Sequence, residues 1–192
     1  LGPGPAAAVF VLDVLKGVVS VLAAKWLVPG EAWAHMAAGL AAVAGHNWPV
    51  WFRFRGGKGI ATTIGVVATL MFLPGLAAGI VGILAIVLTR YVSLGSLLFA
   101  GLLPLSVLLF GRPAELVWGS LVIAVLAWYR HRGNLAKLVR GEERRIEFGR
   151  KGNRPAGEGG ERPAGRGAPQ AGAGNPAPAD GSAVSAEGDD GR

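Results

Sequence analysis

The chain has 192 residues, of which 52% are hydrophobic and only 16% are charged, so it is too apolar for an ordinary soluble domain and indicates a membrane protein. The absence of Cys excludes disulfide frameworks and thiolate metal sites, and three His offer little for zinc or redox chemistry. The net charge of +7 does not by itself indicate binding of nucleic acid, because basic residues beside the apolar segments of a membrane protein can instead mark its cytoplasmic side.

Six apolar runs follow one another between breakers rich in Gly, Pro or charge, one of which is Pro74-Gly75. The runs lack the alternating pattern of a membrane barrel strand, so each predicts a helix. The sequence therefore predicts an all-α polytopic membrane protein, a bundle of about six transmembrane helices with small residues at close contacts. The runs are residues 6–28, 32–44, 60–73, 76–88, 92–110 and 116–129, and the small residues include Gly79, Gly82 and Gly101.

The composition changes near residue 151. Residues 1–151 form the predicted transmembrane helical domain and contain 15 of the 19 Lys and Arg but only six of the 12 acids. Residues 152–192 are rich in Gly, Pro and Ala and contain almost no bulky apolar side chain. Such a segment cannot bury enough apolar surface to fold, so we expect a disordered C-terminal tail on the cytoplasmic side.

Basic residues are concentrated in the loops of one side. By the positive-inside rule this side is cytoplasmic, together with both ends of the chain, and the chain crosses the membrane several times. Asp13 and Lys16 lie three residues apart within the first run, where we expect them to pair or to line a polar cavity. The basic loop residues are Arg53, Arg55, Lys58, Arg90, Arg130, Arg132, Lys137, Arg140, Arg144 and Arg145.

The loop before the third run has the sequence HNWPVWFRFRGGKGIATTIGV, residues 46–66. Gly56, Gly57 and Gly59 let the backbone turn its N–H groups toward an anion, while Lys58 supplies a positive charge and the next helix presents its first amides. The combination suits a phosphate, although Gly follows the Lys and the nucleotide-binding P-loop pattern is not met. The structural alternative is a basic turn at the membrane surface.

Two further segments carry polar groups near the same side. His131 and Asn134 are three residues apart and share a helical face, so they can address one ligand; the alternative is a juxtamembrane segment that pairs with anionic lipid headgroups. Ser93 and Ser96 begin the fifth run, where their hydroxyls can reach a cytoplasmic pocket or serve only in capping and helix contact.

These segments resemble a known family. GHNWPVWFRFRGGKGIAT, TRYVSLGS and HRGNLAKLVRGEE, in that order, together with LDVLKG at residues 12–17, look like the bacterial acyl-phosphate:glycerol-3-phosphate acyltransferases, the PlsY family. The resemblance covers roughly residues 8–147. It implies a membrane enzyme that moves a fatty acyl group from acyl phosphate to the 1-hydroxyl of glycerol 3-phosphate, giving lysophosphatidic acid and phosphate.

The resemblance also implies roles for individual residues. Ser96, His131 and Asn134 are the expected catalytic group, which binds and orients glycerol 3-phosphate, with Ser93 and Arg132 nearby. The phosphate-binding group is Gly56, Gly57, Lys58 and Gly59, with Thr62 and Thr63 as weaker candidates. We expect no cofactor and no metal, because Lys and Arg can neutralise the phosphates, and the partners are acyl phosphate, glycerol 3-phosphate and membrane lipids, without nucleic acid.

The proton of the attacking hydroxyl needs an acceptor, and the sequence motifs suggest no carboxylate for it. His131 and the phosphate of the bound acyl phosphate remain as bases, of which we favour the phosphate. The family has a further N-terminal helix and a loop with Ser and Arg that find no match before residue 6, so we expect residues 1–192 alone to show little acyl transfer. The alternatives are a small membrane transporter or a non-catalytic lipid-binding remnant.

Overall fold

The computed structural model describes residues 3–146 of the chain. In that range the backbone forms seven α-helices and one short 3-10 turn, without a β-strand, so the prediction of an all-α chain is confirmed. The predicted domain boundary at residue 151 and the predicted tail lie outside the described residues. The helices are α1 (Pro3–Leu27), α2 (Ala32–Asn47), α3 (Ile60–Leu70), α4 (Phe72–Thr89), α5 (Val92–Leu109), α6 (Ala114–Arg130) and α7 (Arg132–Val139), and the 3-10 turn is Val50–Phe52.

The outer surface of the bundle is apolar, as expected for contact with lipid. Three helices, α1, α4 and α5, are long and apolar enough to cross a membrane. Large apolar side chains are exposed along α1 and α4, and such a surface is unfavourable in water. They include Val9, Leu12, Leu15, Val19 and Leu22 on α1 and Ile80, Ile83, Leu84, Val87 and Leu88 on α4.

Helices α2, α3 and α6 are too short to cross the hydrocarbon core of a membrane along their full length. At ~1.5 Å per residue, the 16 residues of α2 and the 17 residues of α6 rise about 24 and 26 Å, against a hydrocarbon core of roughly 30 Å. The 11 residues of α3 rise only about 16 Å. Any crossing by these helices therefore includes the polar residues at their ends.

The predicted break at Pro74-Gly75 is wrong. The only non-helical residue between α3 and α4 is Met71, with φ −148° and ψ 58°, and α4 begins at Phe72. Pro74 is the third residue of α4, where a helix leaves the backbone N–H without an intrahelical partner and a proline is tolerated. Pro74 therefore lies in the first turn of α4 and does not separate two helices.

Small residues bring neighbouring helices into contact. A Cβ on Gly82 of α4 would lie 2.8 Å from the carbonyl oxygen of Gly95 on α5, so these backbones touch at a pair of glycines. Gly101 packs on the indole of Trp128 from α6, with Nε1 at 3.2 Å from its Cβ position. The expectation for Gly79 is wrong, because no heavy atom of the described residues lies within 4 Å of its Cβ position.

The buried core has two parts that pack the helices together. The larger part is shared by α2, α3, α4, α5 and α6, and the smaller part joins α1, α2 and α3. The larger part contains Met36, Val67, Met71, Ala78, Phe99, Leu103, Val107, Leu116 and Ile123, and the smaller contains Val21, Val43 and Val66.

Candidate active site

The loop between α2 and α3 folds back over the end of α2. After the 3-10 turn, Arg53 and Phe54 adopt left-handed φ angles of 52° and 60°, which reverse the chain. The N–H of Gly57 then donates to the carbonyl oxygen of His46 at 3.3 Å. The glycine loop, residues 56–59, is thereby fixed against the last turn of α2.

Steric constraints require glycine at positions 57 and 59 of this loop. A Cβ on Gly57 would collide with Nε2 of the His46 ring, so the imidazole packs directly on the backbone of the loop. Gly59, the residue before α3, has φ 78°, which residues with a side chain rarely adopt. The packing of the loop therefore requires these glycines, whatever the loop binds.

Arg130, the last residue of α6, holds the opposite edge of the loop. Its Nη2 donates to the carbonyl oxygens of Gly56 and Gly57 at 2.7 Å each, and its Nε donates to that of Gly57 at 3.0 Å. The N–H and C=O of a trans peptide point in opposite directions, so this contact turns the N–H of Lys58 away from Arg130. The N–H of Gly57 already donates to the carbonyl oxygen of His46, so the loop amides that could face a ligand are those from Lys58 onward.

The side chain of Lys58 lies in an electrostatically mixed environment. Burial lowers the pKa of Lys58, the positive charge of Lys137 lowers it further, and the carboxylate of Glu143 opposes the shift. Its ammonium therefore belongs to the same charged cluster as the segment that follows α7. The glycine loop and the segment after α7 therefore lie close together.

His131 lies between α6 and α7 and is buried. Its Nδ1 is 2.8 Å from the carbonyl oxygen of Ala127, and because a carbonyl can only accept, Nδ1 carries the proton. The lone pair is then on Nε2. Burial is the main cause that lowers the pKa of His131, and the charges of Lys58 and Arg130 act in the same direction, so the ring is neutral at pH 7.

Glu143 connects two of the predicted polar segments. Its Oε1 accepts hydrogen bonds from the hydroxyl of Ser93 and from Nδ2 of Asn134, the latter at 2.8 Å. Burial opposes ionisation, but the two hydrogen bonds and the charges of Lys58 and Lys137 lower the pKa of Glu143 overall. The expectation that no carboxylate stands near these groups is wrong.

The segment after α7, residues 140–146, returns to the start of α5. Its Ile146 donates a backbone hydrogen bond to the carbonyl of Arg90 at 2.9 Å, and Nε of Arg145 donates to the hydroxyl of Tyr91 at 3.0 Å. Gly141, with φ 70°, makes the turn that allows this return. The α4–α5 connection and the end of α7 are therefore tied together at the site.

Other predicted site residues lie around this centre. Ser96 is buried and lines an apolar cavity of about 290 Å³ between α3, α4 and α5. Thr62 and Thr63 are buried in the first turn of α3. Arg132 is exposed and turns to Tyr129, donating to its carbonyl at 3.1 Å and lying 4.4 Å from its ring centroid, so no contact of Arg132 joins it to the loop.

A second polar cluster supports the loop from α1. Lys16 pairs with Asp13 at 2.6 Å, as predicted, and also donates to Nδ1 of His46 at 2.5 Å. Oδ1 of Asp13 lies 3.3 Å from the same Nδ1, and Nε2 is the ring atom that faces Gly57. The contact connects α1 through His46 to the glycine loop.

Sequence reasoning missed three residues of this arrangement, namely His46, Arg130 and Glu143. The signals were modest: His46 opens the glycine-loop sequence, Arg130 precedes His131, and Glu143 ends the third matching segment. From the sequence alone, each of these three residues could equally be a polar side chain exposed to solvent. Within residues 3–146, no three His, Cys, Asp or Glu side chains are grouped to hold a metal ion, and the expected absence of a metal stays a prediction.

Comparison with known proteins gives a consistent set of relatives. Residues 1–141 match the model of a family described as glycerol-3-phosphate acyltransferase. A glycerol-3-phosphate acyltransferase of Shouchella clausii is 53% identical over 151 residues, which are 76% of this chain and 74% of that protein. One of Halalkalibacterium halodurans is 49% identical over 156 residues, 79% of this chain and 75% of the relative.

A solved structure is similar as well. The crystal structure of PlsY, an integral membrane glycerol 3-phosphate acyltransferase, in its glycerol 3-phosphate form, is 37% identical and covers 77% of this chain and 74% of its own, with a TM-score of 0.72. Its lysophosphatidic acid form, also 37% identical, covers 73% and 72%, with a TM-score of 0.69.

Proposed function

The chain belongs to the glycerol-3-phosphate acyltransferase family, and we propose that it transfers a fatty acyl group from acyl phosphate to the 1-hydroxyl of glycerol 3-phosphate at the site around Lys58 and Glu143. The products are lysophosphatidic acid and inorganic phosphate. As a member of this family it is a membrane-bound acyltransferase, and glycerol 3-phosphate is its acceptor. The donor, the residue roles and the orientation are part of the proposal.

One observation carries the proposal: Glu143 binds Ser93 and Asn134 within the electrostatic reach of Lys58. This contact joins three segments that are far apart in the sequence and that each supply groups able to bind a polar phosphate ester. A single charged centre at one end of an apolar bundle suits a reaction between a water-soluble acceptor and a lipid-like donor.

The glycine loop supplies the phosphate site. The amides of Lys58 and Gly59 and the first turn of α3 face the anion, and the ammonium of Lys58 adds positive charge. Arg130 fixes the loop from its carbonyl side and acts as a positioning residue. Thr62 and Thr63 have a supporting role because both are buried in helix packing.

Ser96, His131 and Asn134 bind and orient glycerol 3-phosphate in the proposal, with Ser93 beside them. The lone pair on Nε2 of His131 accepts a hydrogen bond from the 2-hydroxyl of glycerol 3-phosphate, which leaves the proton of the attacking 1-hydroxyl free, while Glu143 orients the carboxamide of Asn134. Arg132, whose contacts are with Tyr129, is at the edge of this site.

The apolar cavity beside Ser96 is suited to the acyl chain of the donor. It is lined by Ile60, Ile64, Phe72, Ile86 and Phe99, among others, so its walls are almost wholly aliphatic and aromatic. A chain in this cavity would bring its carbonyl carbon to the polar end of α5.

The chemistry needs no metal or cofactor in this proposal. The hydroxyl oxygen of the acceptor attacks the acyl carbonyl carbon, the bond from that carbon to the phosphate oxygen breaks, and inorganic phosphate leaves. The proton of the 1-hydroxyl passes to the departing phosphate, which is the base we favour, and neutral His131 holds the acceptor in place through its 2-hydroxyl. Positioning and charge stabilisation supply most of the rate in such a scheme.

We also propose that the site faces the cytoplasm in the bacterial inner membrane, with both chain ends on that side. The excess of Lys and Arg at this end of the bundle supports the orientation. Membrane lipids then surround the helices and receive the lipid product.

The proposal is tested with the natural full-length protein purified in detergent and supplied with radiolabelled glycerol 3-phosphate. Palmitoyl phosphate should yield labelled lysophosphatidic acid, whereas palmitoyl coenzyme A should yield none above the control without protein. Equal use of both donors would contradict the donor assignment. Absence of product with either would favour the lipid-binding remnant, and a transporter would move label only across a sealed membrane.

A further inference from the structure

Asn47 is the last residue of α2, and its side chain is fully buried. Neither its Oδ1 nor its Nδ2 has a hydrogen-bond partner within the part of the chain that the structure describes. A buried carboxamide in this state destabilises the fold, because both polar atoms have given up their hydrogen bonds with water. An unpaired polar group of this kind needs a physical explanation.

The carboxamide lies against the backbone at the start of α3. A Cβ on Gly59 would be 2.6 Å from Oδ1 of Asn47, so the amide oxygen nearly touches the residue that precedes the helix. The N–H of Thr63 donates to the carbonyl of Gly59 at 2.8 Å, and the helical N–H groups before it are those that an α-helix leaves without an intrahelical acceptor. Unpaired groups of the side chain and of the helix start therefore meet at Gly59.

Thr62 adds a second unpaired group in the same turn. Its side chain is fully buried, and its Oγ1 also has no partner among the described residues. One buried polar side chain at the end of α2 and one in the first turn of α3 therefore lack hydrogen bonds among the described residues. Asn47 lies against Gly59, and Thr62 follows Gly59 by three residues, so both adjoin the segment that we assign to phosphate binding.

We propose that Asn47 is a positioning residue of the phosphate-bound state, in which its carboxamide hydrogen-bonds to the backbone around Gly59 and fixes the amides that hold the anion. The inference rests on the proposed function of the glycine loop. Asn47 does not touch the phosphate itself.

The loop has the freedom that this proposal requires. Its first half is held, because Arg130 binds the carbonyls of Gly56 and Gly57 and His46 accepts from the N–H of Gly57. Gly59 lacks a side chain, so its backbone can rotate over a wide range. A carboxamide offers both donors and an acceptor, and it can therefore pair with either face of the Lys58–Gly59 peptide.

The test uses Asn47→Leu, which keeps the branched shape and removes the polar atoms, and Asn47→Ala, which avoids crowding, both in the natural full-length protein. Val43→Ala is the matched control, because Val43 is buried and packs on the same side of Gly59, with Cγ1 at 3.2 Å from its Cβ position. The measurements are kcat and KM for both substrates, the melting temperature, and binding of glycerol 3-phosphate and of inorganic phosphate by calorimetry.

We expect both Asn47 variants to weaken one phosphate ligand about tenfold or more, in KM or in binding, while kcat changes less than threefold. Their melting temperatures should equal or exceed that of the unmodified protein, whereas Val43→Ala should melt lower with unchanged KM. Kinetics and binding within twofold of the unmodified protein would overturn the inference, as would losses that follow the melting temperature in all three variants. Failure of acyl transfer in the unmodified protein would instead contradict the proposed function, and the binding measurements would still test Asn47.

Discussion

The guanidinium of Arg130 donates two hydrogen bonds to the carbonyl oxygen of Gly57, from Nε at 3.0 Å and from Nη2 at 2.7 Å. The two residues are 73 positions apart in the sequence, and their contact ties the end of α6 to the glycine loop. Because the carbonyl side of the loop is occupied in this way, the following amide faces the opposite direction. The first half of the loop is thus held by contacts within the protein.

Replacement of Arg130 should loosen the loop. Arg130→Ala removes all three contacts with Gly56 and Gly57, and Arg130→Lys keeps the charge but not the forked geometry. We expect both variants to raise KM for a phosphate substrate about tenfold or more, with near-normal folded yield. Arg112→Ala is the matched control on the opposite turn, and equal kinetics for the Arg130 and Arg112 variants would contradict the role of Arg130.

Replacement of Glu143 should separate the start of α5 from the segment after α7. Glu143→Ala leaves Ser93 and Asn134 without their common acceptor, so we expect a large loss of kcat/KM for glycerol 3-phosphate. Glu143→Gln retains an acceptor oxygen and should therefore keep part of the kcat/KM that Glu143→Ala loses. Glu142→Ala, at the exposed neighbouring position, serves as the control; if it lowers activity as much as Glu143→Ala, the orienting contact is not the cause.

The lowered pKa of His131 predicts a specific pH dependence. The ring must be neutral for Nε2 to accept from the 2-hydroxyl, and burial keeps it neutral to a lower pH than an ordinary imidazole, whose pKa is about 6.5. Activity should therefore persist as the pH falls through about 6.5 and decrease only below it. A decrease centred at or above that value, lost in His131→Gln, would contradict the predicted shift.

The variant His131→Gln also tests which group accepts the proton of the attacking hydroxyl. Gln retains a hydrogen-bonding group but cannot take up the proton, so His131→Gln should leave measurable turnover if the phosphate of the donor is the base. Complete loss of turnover with unchanged binding of glycerol 3-phosphate would assign the proton transfer to His131.

The proposed orientation can be tested by labelling, because the chain contains no Cys. Glu142→Cys lies on the basic side and Arg112→Cys on the opposite side, and both positions are exposed. In intact cells an impermeant thiol reagent should reach position 112 and not position 142. The reverse pattern would contradict a cytoplasmic site.

The helices could be predicted from the sequence because the membrane requires internal hydrogen bonding along each apolar run. The break at Met71 could not, since methionine gives no breaker signal and the neighbouring Pro74 suggests a different position. A proline can end one helix or lie in the first turn of the next, and the second of these holds for Pro74.

The glycine loop was recognisable because Gly, Gly, Lys and Gly before a helix suit an anion. Glu143 was not, because a carboxylate in a segment rich in Arg normally pairs locally with solvent-exposed neighbours. Only the turn at Gly141 returns it to Ser93, 50 positions earlier in the chain. Contacts of this range depend on the packing of α5 against α6 and α7, which no local pattern contains.

The most direct test of the central claim, that this site performs the acyl transfer, is glycerol 3-phosphate-dependent release of inorganic phosphate from palmitoyl phosphate by Lys58→Ala, beside the unmodified full-length protein and the control Lys25→Ala. Loss of one charged hydrogen bond costs about 1.5–3 kcal/mol, roughly ten- to a hundredfold. We predict that release requires glycerol 3-phosphate and that Lys58→Ala lowers kcat/KM at least tenfold while Lys25→Ala does not. Release that is independent of glycerol 3-phosphate, or equal in the two lysine variants, would contradict the account.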